Sequence, residues 1–328
     1  MTSPDTLRRP PFDPEMAAVL SVIGENLPPT LTPEMIPLMR EASITVPLEQ
    51  VLDGRPITHE ERTAPGYEGA ELVVSVFRRS DHVAGGPAVF HIHGGGMIIG
   101  DRFTGVEAVV DWVERFDAVV ASVEYRLAPE HPDPVPVEDC YAALQWVVGQ
   151  GDELGFDAER VVVAGGSAGG GLAAGVALLC RDRGGPALIG QFLMCPMLDD
   201  RNETVSSHQF VGVGVWDRGS NDTGWSAYLG DRRGTDDVSI YAAPARATDL
   251  SGLPPAFIDV GSAEVFRDED VAYATQIWAD GGVAELHVWP GGFHGFQMMA
   301  GAATVARQAV EAQRDWLDRI LGQVAGEA

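Results

Sequence analysis

The stretch Val161-Val162-Val163-Ala164-Gly165-Gly166-Ser167-Ala168-Gly169-Gly170 decides how the rest of the chain is read. Its opening run of valines ending in alanine reads as a buried strand, and Ala168–Arg183 reads as a helix. Between them stands Gly-x-Ser-x-Gly. A strand that turns sharply into a helix strains the backbone of the intervening serine and lifts its Oγ above the sheet. The positions two residues either side must then be small, because a Cβ there would collide with the turn, and Gly165 and Gly169 meet that need. The helix that begins after Ser167 turns its positive end toward any oxyanion forming there. A glycine-rich phosphate loop fits less well. A dinucleotide fingerprint would need glycine where Ser167 stands, and a P-loop would need a lysine. All 22 basic residues are arginine. Schiff-base lysines and Ser-x-x-Lys sites are excluded with the P-loop.

Outward from this turn the same grammar repeats. Ala88–Ile92, Ala118–Glu124, Gln191–Cys195, Ala256–Val260 and Glu285–Trp289 read as strands; Thr104–Arg115, Val137–Gln150, Asp268–Asp280 and Thr304–Leu321 read as helices. Fully apolar strands alternating with helices predict a mostly parallel sheet covered on both faces, with ligands at the carboxyl ends of the strands. Residues 50–80 alternate apolar and polar and predict antiparallel edge strands. Two stretches lie outside the pattern. Residues 1–45 hold two weakly amphipathic segments, Met16–Leu27 and Pro33–Ser43, and residues 199–248 are rich in Asp, Gly, Ser and Trp without a clear strand. The expected division is a catalytic unit of 46–198 and 249–328, with 1–45 and 199–248 joining as a cap over the strand ends.

Phe90-His91-Ile92-His93-Gly94-Gly95-Gly96-Met97 follows an earlier strand. Three consecutive glycines cost folding entropy and make sense where backbone N–H groups must approach a ligand closely. Gly95 and Gly96 from this loop, with Ala168 from the helix start, are the expected oxyanion donors. His91 and His93 share a strand face, but no third ligand stands near them in sequence; His93 is expected to brace the loop, His91 to pack, and no metal is expected. A serine hydroxyl needs a base. His294, in Pro290-Gly-Gly-Phe-His294-Gly-Phe296 directly after the last strand, is the expected one. His287 reads as strand packing, His131 as structural, and His59, His82 and His208 as surface residues. The orienting acid should follow Ala256–Val260: Glu264 is favoured over Asp268, and that over Asp199. Asp268, Glu269 and Asp270 read as residues complementing a helix dipole.

Composition narrows the remaining classes. With 48 acidic residues against 22 basic and a net charge of −26, nucleic acid and anionic membrane surfaces would be repelled. Cys140, Cys180 and Cys195 are an odd set in apolar stretches, expected to be buried free thiols of a reducing compartment. The residues up to Pro14 carry no apolar signal-like region and no run reaches membrane-spanning length, so a cytoplasmic location without membrane insertion is expected.

With His93-Gly-Gly-Gly96, Gly165-x-Ser-x-Gly169 and the Pro-Gly-Gly-Phe-His294 turn in hand, the chain resembles the bacterial hormone-sensitive-lipase-like carboxylesterases of the α/β-hydrolase superfamily. Glu124-Tyr-Arg-Leu-Ala-Pro-Glu-His-Pro132 is similar to a further family segment. Gly166 departs from the Asp or Thr usual before the nucleophile, and Glu264 stands where most members carry Asp. The resemblance implies an α/β-hydrolase fold with a helical cap, hydrolysis of short-chain acyl esters without a cofactor, and frequent homodimers. A Gly-Gly-Gly loop in such enzymes is also associated with esters of bulky tertiary alcohols. Met97, Phe210, Trp216, Trp225 and Phe296 are candidate pocket walls. A lactonase or amidase on the same triad is the first alternative. The second is a non-catalytic small-molecule-binding member of the fold, as in gibberellin receptors, against which the presence of His294 argues.

Overall fold

The computed structural model describes residues 7–42 and 46–322; residues 1–6 and 43–45 of the expected cap, Ser43 among them, and residues 323–328 of the expected catalytic unit lie outside that range. The β-branched runs form β1 (Ile57–Pro65), β2 (Glu71–Arg79), β3 (Gly86–Ile92), β4 (Val119–Val123), β5 (Phe156–Gly166), β6 (Gly190–Met194), β7 (Ala256–Gly261) and β8 (Ala284–Trp289). They make one sheet in the order β1-β2-β4-β3-β5-β6-β7-β8. β2 runs antiparallel to β1 and β4, and every other neighbouring pair is parallel. The helices are α1 (Pro14–Ile23), α2 (Ile36–Glu41), α3 (Leu48–Leu52), α4 (Val106–Phe116), α5 (Val135–Gly149), α6 (Gly151–Leu154), α7 (Ala168–Arg183), α8 (Val205–Gln209), α9 (Arg218–Leu229), α10 (Arg267–Ala279), α11 (Phe296–Met299) and α12 (Thr304–Leu321).

The strands are apolar throughout because both faces are covered. Successive side chains point to opposite sides. On β5, Val161 and Val163 enter the core shared with Leu144 of α5 and Leu172 of α7. Val162 and Ala164 enter a second core with Val109 and Val113 of α4 and Leu317 of α12, where Phe192 of β6 stacks on Phe257 of β7 with centroids 5.1 Å apart. Each large apolar side chain so buried contributes about 1.5–3 kcal/mol. The sandwich thereby fixes the parallel strands β3, β5, β6, β7 and β8 in that order with their carboxyl ends at one rim. The chain leaves the ends of β3, β5, β7 and β8 through Gly94–Gly96, Ser167, Glu264 and His294.

Residues 199–248 differ from the irregular segment expected. They hold α8 and the twelve-residue α9, the latter begun by Asp217, whose carboxylate accepts the Ser220 N–H at 2.8 Å. The N-terminal segment is stitched to α9. Leu31 N donates to Ser220 Oγ, Thr223 Oγ1 donates to Leu31 O, and Thr30 Oγ1 donates to Asp217, each at 2.8 Å. None of the helices among the described residues is long and apolar enough to cross a membrane.

Candidate active site

Ser167 sits between β5 and α7 with φ +57° and ψ −125°, a conformation that costs on the order of 1–3 kcal/mol for a residue with a Cβ. Three backbone bonds hold it there: Ser167 N donates to Met194 O at 2.8 Å, and Met197 N and Gly171 N donate to Ser167 O at 3.0 and 3.1 Å. The flanking glycines are explained by what a side chain would strike. A Cβ on Gly165 would collide with the backbone of Gly169, and one on Gly169 with the carbonyl oxygens of Ile92 and His93. All of these obstacles are backbone. Gly169→Ala is therefore expected to push the turn away from β3, costing about 2–3 kcal/mol of stability and roughly a hundredfold in hydrolysis. Urea titration and initial rates on the same preparation check this; a wild-type rate would show that the close approach is dispensable.

Ser167 Oγ lies 2.9 Å from His294 Nε2, and His294 Nδ1 lies 3.3 Å from Glu264 Oε1. The three residues come from loops separated by 127 and 30 positions along the chain. His294 is held edge-on against Phe266, with ring centroids 5.1 Å apart. The other two acids considered are engaged elsewhere. Asp199 chelates the Arg201 guanidinium at 2.7 and 2.8 Å. Asp268 accepts the Ser206 N–H at 2.7 Å and Arg267 Nε at 2.8 Å.

The glycine loop lies against the serine turn. Gly94 is so close that an added Cβ would stand 2.9 Å from Gly166 O and 3.3 Å from Ser167 Cβ. Gly95 takes φ +114°, and a Cβ there would strike the Ile99 carbonyl. Gly96 is buried under Trp216, whereas Gly94 and Gly95 border open space beside Ser167. His93 braces this loop from beneath: its Nδ1 lies 2.8 Å from Gly94 O, its ring stacks on Tyr125 at 4.2 Å, and Tyr125 Oη donates to His93 O at 2.9 Å. His91 packs with Nδ1 2.9 Å from Ser122 Oγ, and burial pushes its pKa down to about 3, so the ring is neutral. His59 and His82, read from sequence as surface residues, are half-buried. His59 reaches Ser75 Oγ at 3.0 Å, and His82 spans Asp117 and Gly155 O at 2.9 Å each.

A cavity of about 200 Å³ opens over Ser167 and His294. It straddles the rim of the sheet, taking Leu31, Met35 and Met39 from the N-terminal segment and Val109 and Trp112 from α4. Of the five aromatic and methionine residues expected on its walls, Trp216 is there. Met97, Phe210, Trp225 and Phe296 are not. They are fully enclosed in packing, Phe210 against Phe12 and Trp225 near Tyr228, because large apolar side chains in a segment that must cover the sheet are first needed for its own core. Sequence reasoning missed Met194 and Cys195, which line the cavity from the end of β6. Their position directly beside the serine strand was the available signal.

Comparison with known proteins gives the family of the chain. A protein-family profile described as alpha/beta hydrolase fold matches residues 89–298. Carboxylesterase NlhH of Mycobacterium tuberculosis is 35% identical over 315 residues, covering 94% of this chain and 96% of that protein. The chain belongs to the bacterial hormone-sensitive-lipase-like carboxylesterases of the α/β-hydrolase superfamily. Among solved structures, a bacterial heroin esterase superposes with a TM-score of 0.88 at 38% identity, covering 94% of this chain and 98% of that one. Esterase LipW from Mycobacterium marinum gives 0.83 at 31% identity, with 96% and 98% covered. A triad, an oxyanion hole and a cap are typical of this family, and the chain is a carboxylic ester hydrolase.

Beneath the site this carboxylesterase carries acids whose burial the sequence did not disclose. Glu269 and Asp270 stand in the first turn of α10, as expected, but both are buried. Glu269 Oε1 accepts the N–H groups of Leu198 and Asp199 at 2.8 and 3.1 Å, which fixes the turn after β6. Burial pushes both carboxyls well up. Asp259 of β7 was not singled out at all. Its Oδ2 accepts from Trp289 Nε1 at 3.2 Å and from Gln297 and Gln313 at 3.0 Å each, tying α11, which follows His294, to the sheet. Burial outweighs these donors and raises its pKa to about 6. The folded chain thus keeps a proton that the unfolded chain has released between about pH 4 and pH 6, so this group's stabilising contribution is lost as pH rises through that window. Asp259→Asn removes the titration. It is expected to gain on the order of 2–3 kcal/mol relative to wild type between pH 4 and pH 7, read from urea midpoints at the two pH values.

Proposed function

We propose that this carboxylesterase hydrolyses short-chain acyl esters through a covalent acyl-enzyme on Ser167. The observation that carries the reading is the unbroken line of contacts from Ser167 Oγ through His294 to Glu264, ending on a buried carboxylate. His294 Nε2 takes the Oγ proton as Oγ attacks the ester carbonyl. The backbone N–H groups of Gly95, Gly96 and Ala168 receive the oxyanion, each such donor being worth about 3–4 kcal/mol in the transition state. Glu264 holds the imidazole in one tautomer and stabilises its charged form. The proton passes from His294 to the departing alcohol oxygen. Water, deprotonated by the same nitrogen, then releases the carboxylic acid and returns the proton to Oγ. No cofactor enters any step.

Residues 1–45 and 199–248 would act together as the cap, a reading that the bonds from Thr30 and Leu31 to α9 support. The small cavity supports the preference for short acyl chains. We expect kcat/KM for p-nitrophenyl acetate and butyrate to exceed that for p-nitrophenyl laurate by about tenfold or more, since a long chain cannot be enclosed. Equal values across the series would remove the short-chain assignment while leaving the triad untouched.

A further inference from the structure

The geometry points to a binding site for a thiophilic divalent cation, such as Zn2+ or Cd2+, formed by Cys195 Sγ, an imidazole nitrogen of His294 and the carboxylate of Glu264, at which the ion switches the esterase off. These three ligand atoms all lie within 4.8 Å of one another. A tetrahedral zinc ion bound by sulfur at about 2.3 Å and by nitrogen and oxygen at about 2.0–2.2 Å requires ligand spacings of roughly 3.3–3.6 Å. The separation of 3.3 Å between His294 Nδ1 and Glu264 Oε1 already meets that requirement. A shift of about 1 Å by the thiol completes three ligands of a set that suits zinc and cadmium and not magnesium or calcium.

A second observation is independent of the thiol. Glu264 is 2% exposed, yet its Oε2 has no hydrogen-bond partner among the described residues. A buried carboxylate oxygen left in this state costs free energy that a bound cation would recover. Entry is open, since Cys195 and His294 both line the cavity above Ser167. On binding, the Cys195 S–H gives up its proton to solvent, and the His294 proton moves from Nδ1 to Nε2, so the ring remains a neutral imidazole. Bonds then form from the ion to thiolate, imidazole and carboxylate, with water in the fourth position. With Nδ1 bonded to a dication and Nε2 carrying the proton, the imidazole has no lone pair left to accept the Ser167 proton, and Glu264 no longer orients it. Loss of hydrolysis therefore rests on the mechanism proposed above; binding of the ion does not.

The test is a Cd2+ titration of the Ser167→Ala chain, which keeps all three ligands, followed by the ultraviolet thiolate-to-cadmium charge-transfer band. One equivalent per chain is expected. The band should vanish when Cys195→Ala or the near-isosteric Cys195→Ser is added, with circular dichroism unchanged, and should need about tenfold more Cd2+ when Glu264→Gln is added. A band that persists without Cys195, that arises from Cys140 or Cys180, or that never forms overturns the site. In parallel, Zn2+ should inhibit p-nitrophenyl acetate hydrolysis by wild type reversibly with EDTA. Cys195→Ala, compared with its own metal-free rate, should need about tenfold more Zn2+ for the same inhibition. Cadmium binding with normal stoichiometry but no inhibition would keep the site and contradict the mechanism instead.

Discussion

Ser167→Ala is expected to lower kcat for p-nitrophenyl acetate by about 10^5–10^6-fold while leaving the fold intact. The Oγ is the only atom removed, and the strain at this position is held by backbone bonds to Met194, Met197 and Gly171 that alanine also makes. KM should change little, because the cavity walls and glycine loop are untouched. The residual rate would come from the oxyanion donors acting on water, typically 10^3–10^4-fold over the uncatalysed reaction. Stopped or continuous assays with enzyme in large excess over the detection limit read this directly. A loss of only tenfold would mean that another group attacks the ester.

The second large effect separates the three acids that the sequence left open. Glu264→Gln keeps an oxygen near His294 Nδ1 but loses the negative charge and offers an N–H that favours the wrong imidazole tautomer. We expect kcat to fall by about 10^3–10^4-fold. Asp199→Asn and Asp268→Asn should leave kcat within about threefold of wild type, because their partners are Arg201, Arg267 and the Ser206 N–H rather than His294. The contrast among three carboxylates of one rim is more informative than any single value. A large loss from Asp268→Asn with Glu264→Gln active would reverse the assignment.

What the sequence disclosed and what it hid follow from the same physics. The serine turn and the glycine loop were legible because backbone sterics leave little freedom there: Gly165, Gly169 and Gly95 each face a backbone obstacle that excludes a side chain. Alternation of apolar strands and helices located the sheet and the four loops at its rim. Residues 199–248 were opaque because the buried side of α9 is polar over its first half, with Ser220, Asn221 and Thr223 inside and bonded to the N-terminal segment and to Asn202, and is apolar only at Trp225, Tyr228 and Leu229. An apolar stripe confined to the last turn does not announce a twelve-residue helix. The pocket walls were opaque for a related reason. Burial of an aromatic ring does not say whether it faces a cavity or a core, and Trp216 and Trp225, nine residues apart, do one each. Buried carboxylates such as Asp270 look like surface charges until the packing around them is known.

The most direct measurement is covalent labelling of the intact protein with a fluorophosphonate, read by mass spectrometry of the whole chain and then of its peptides. We predict a single adduct per chain, on Ser167, and labelling slowed at least about a thousandfold by His294→Ala, since the reagent reports an activated hydroxyl rather than an accessible one. An adduct on another residue, or equal labelling with and without His294, would contradict the account.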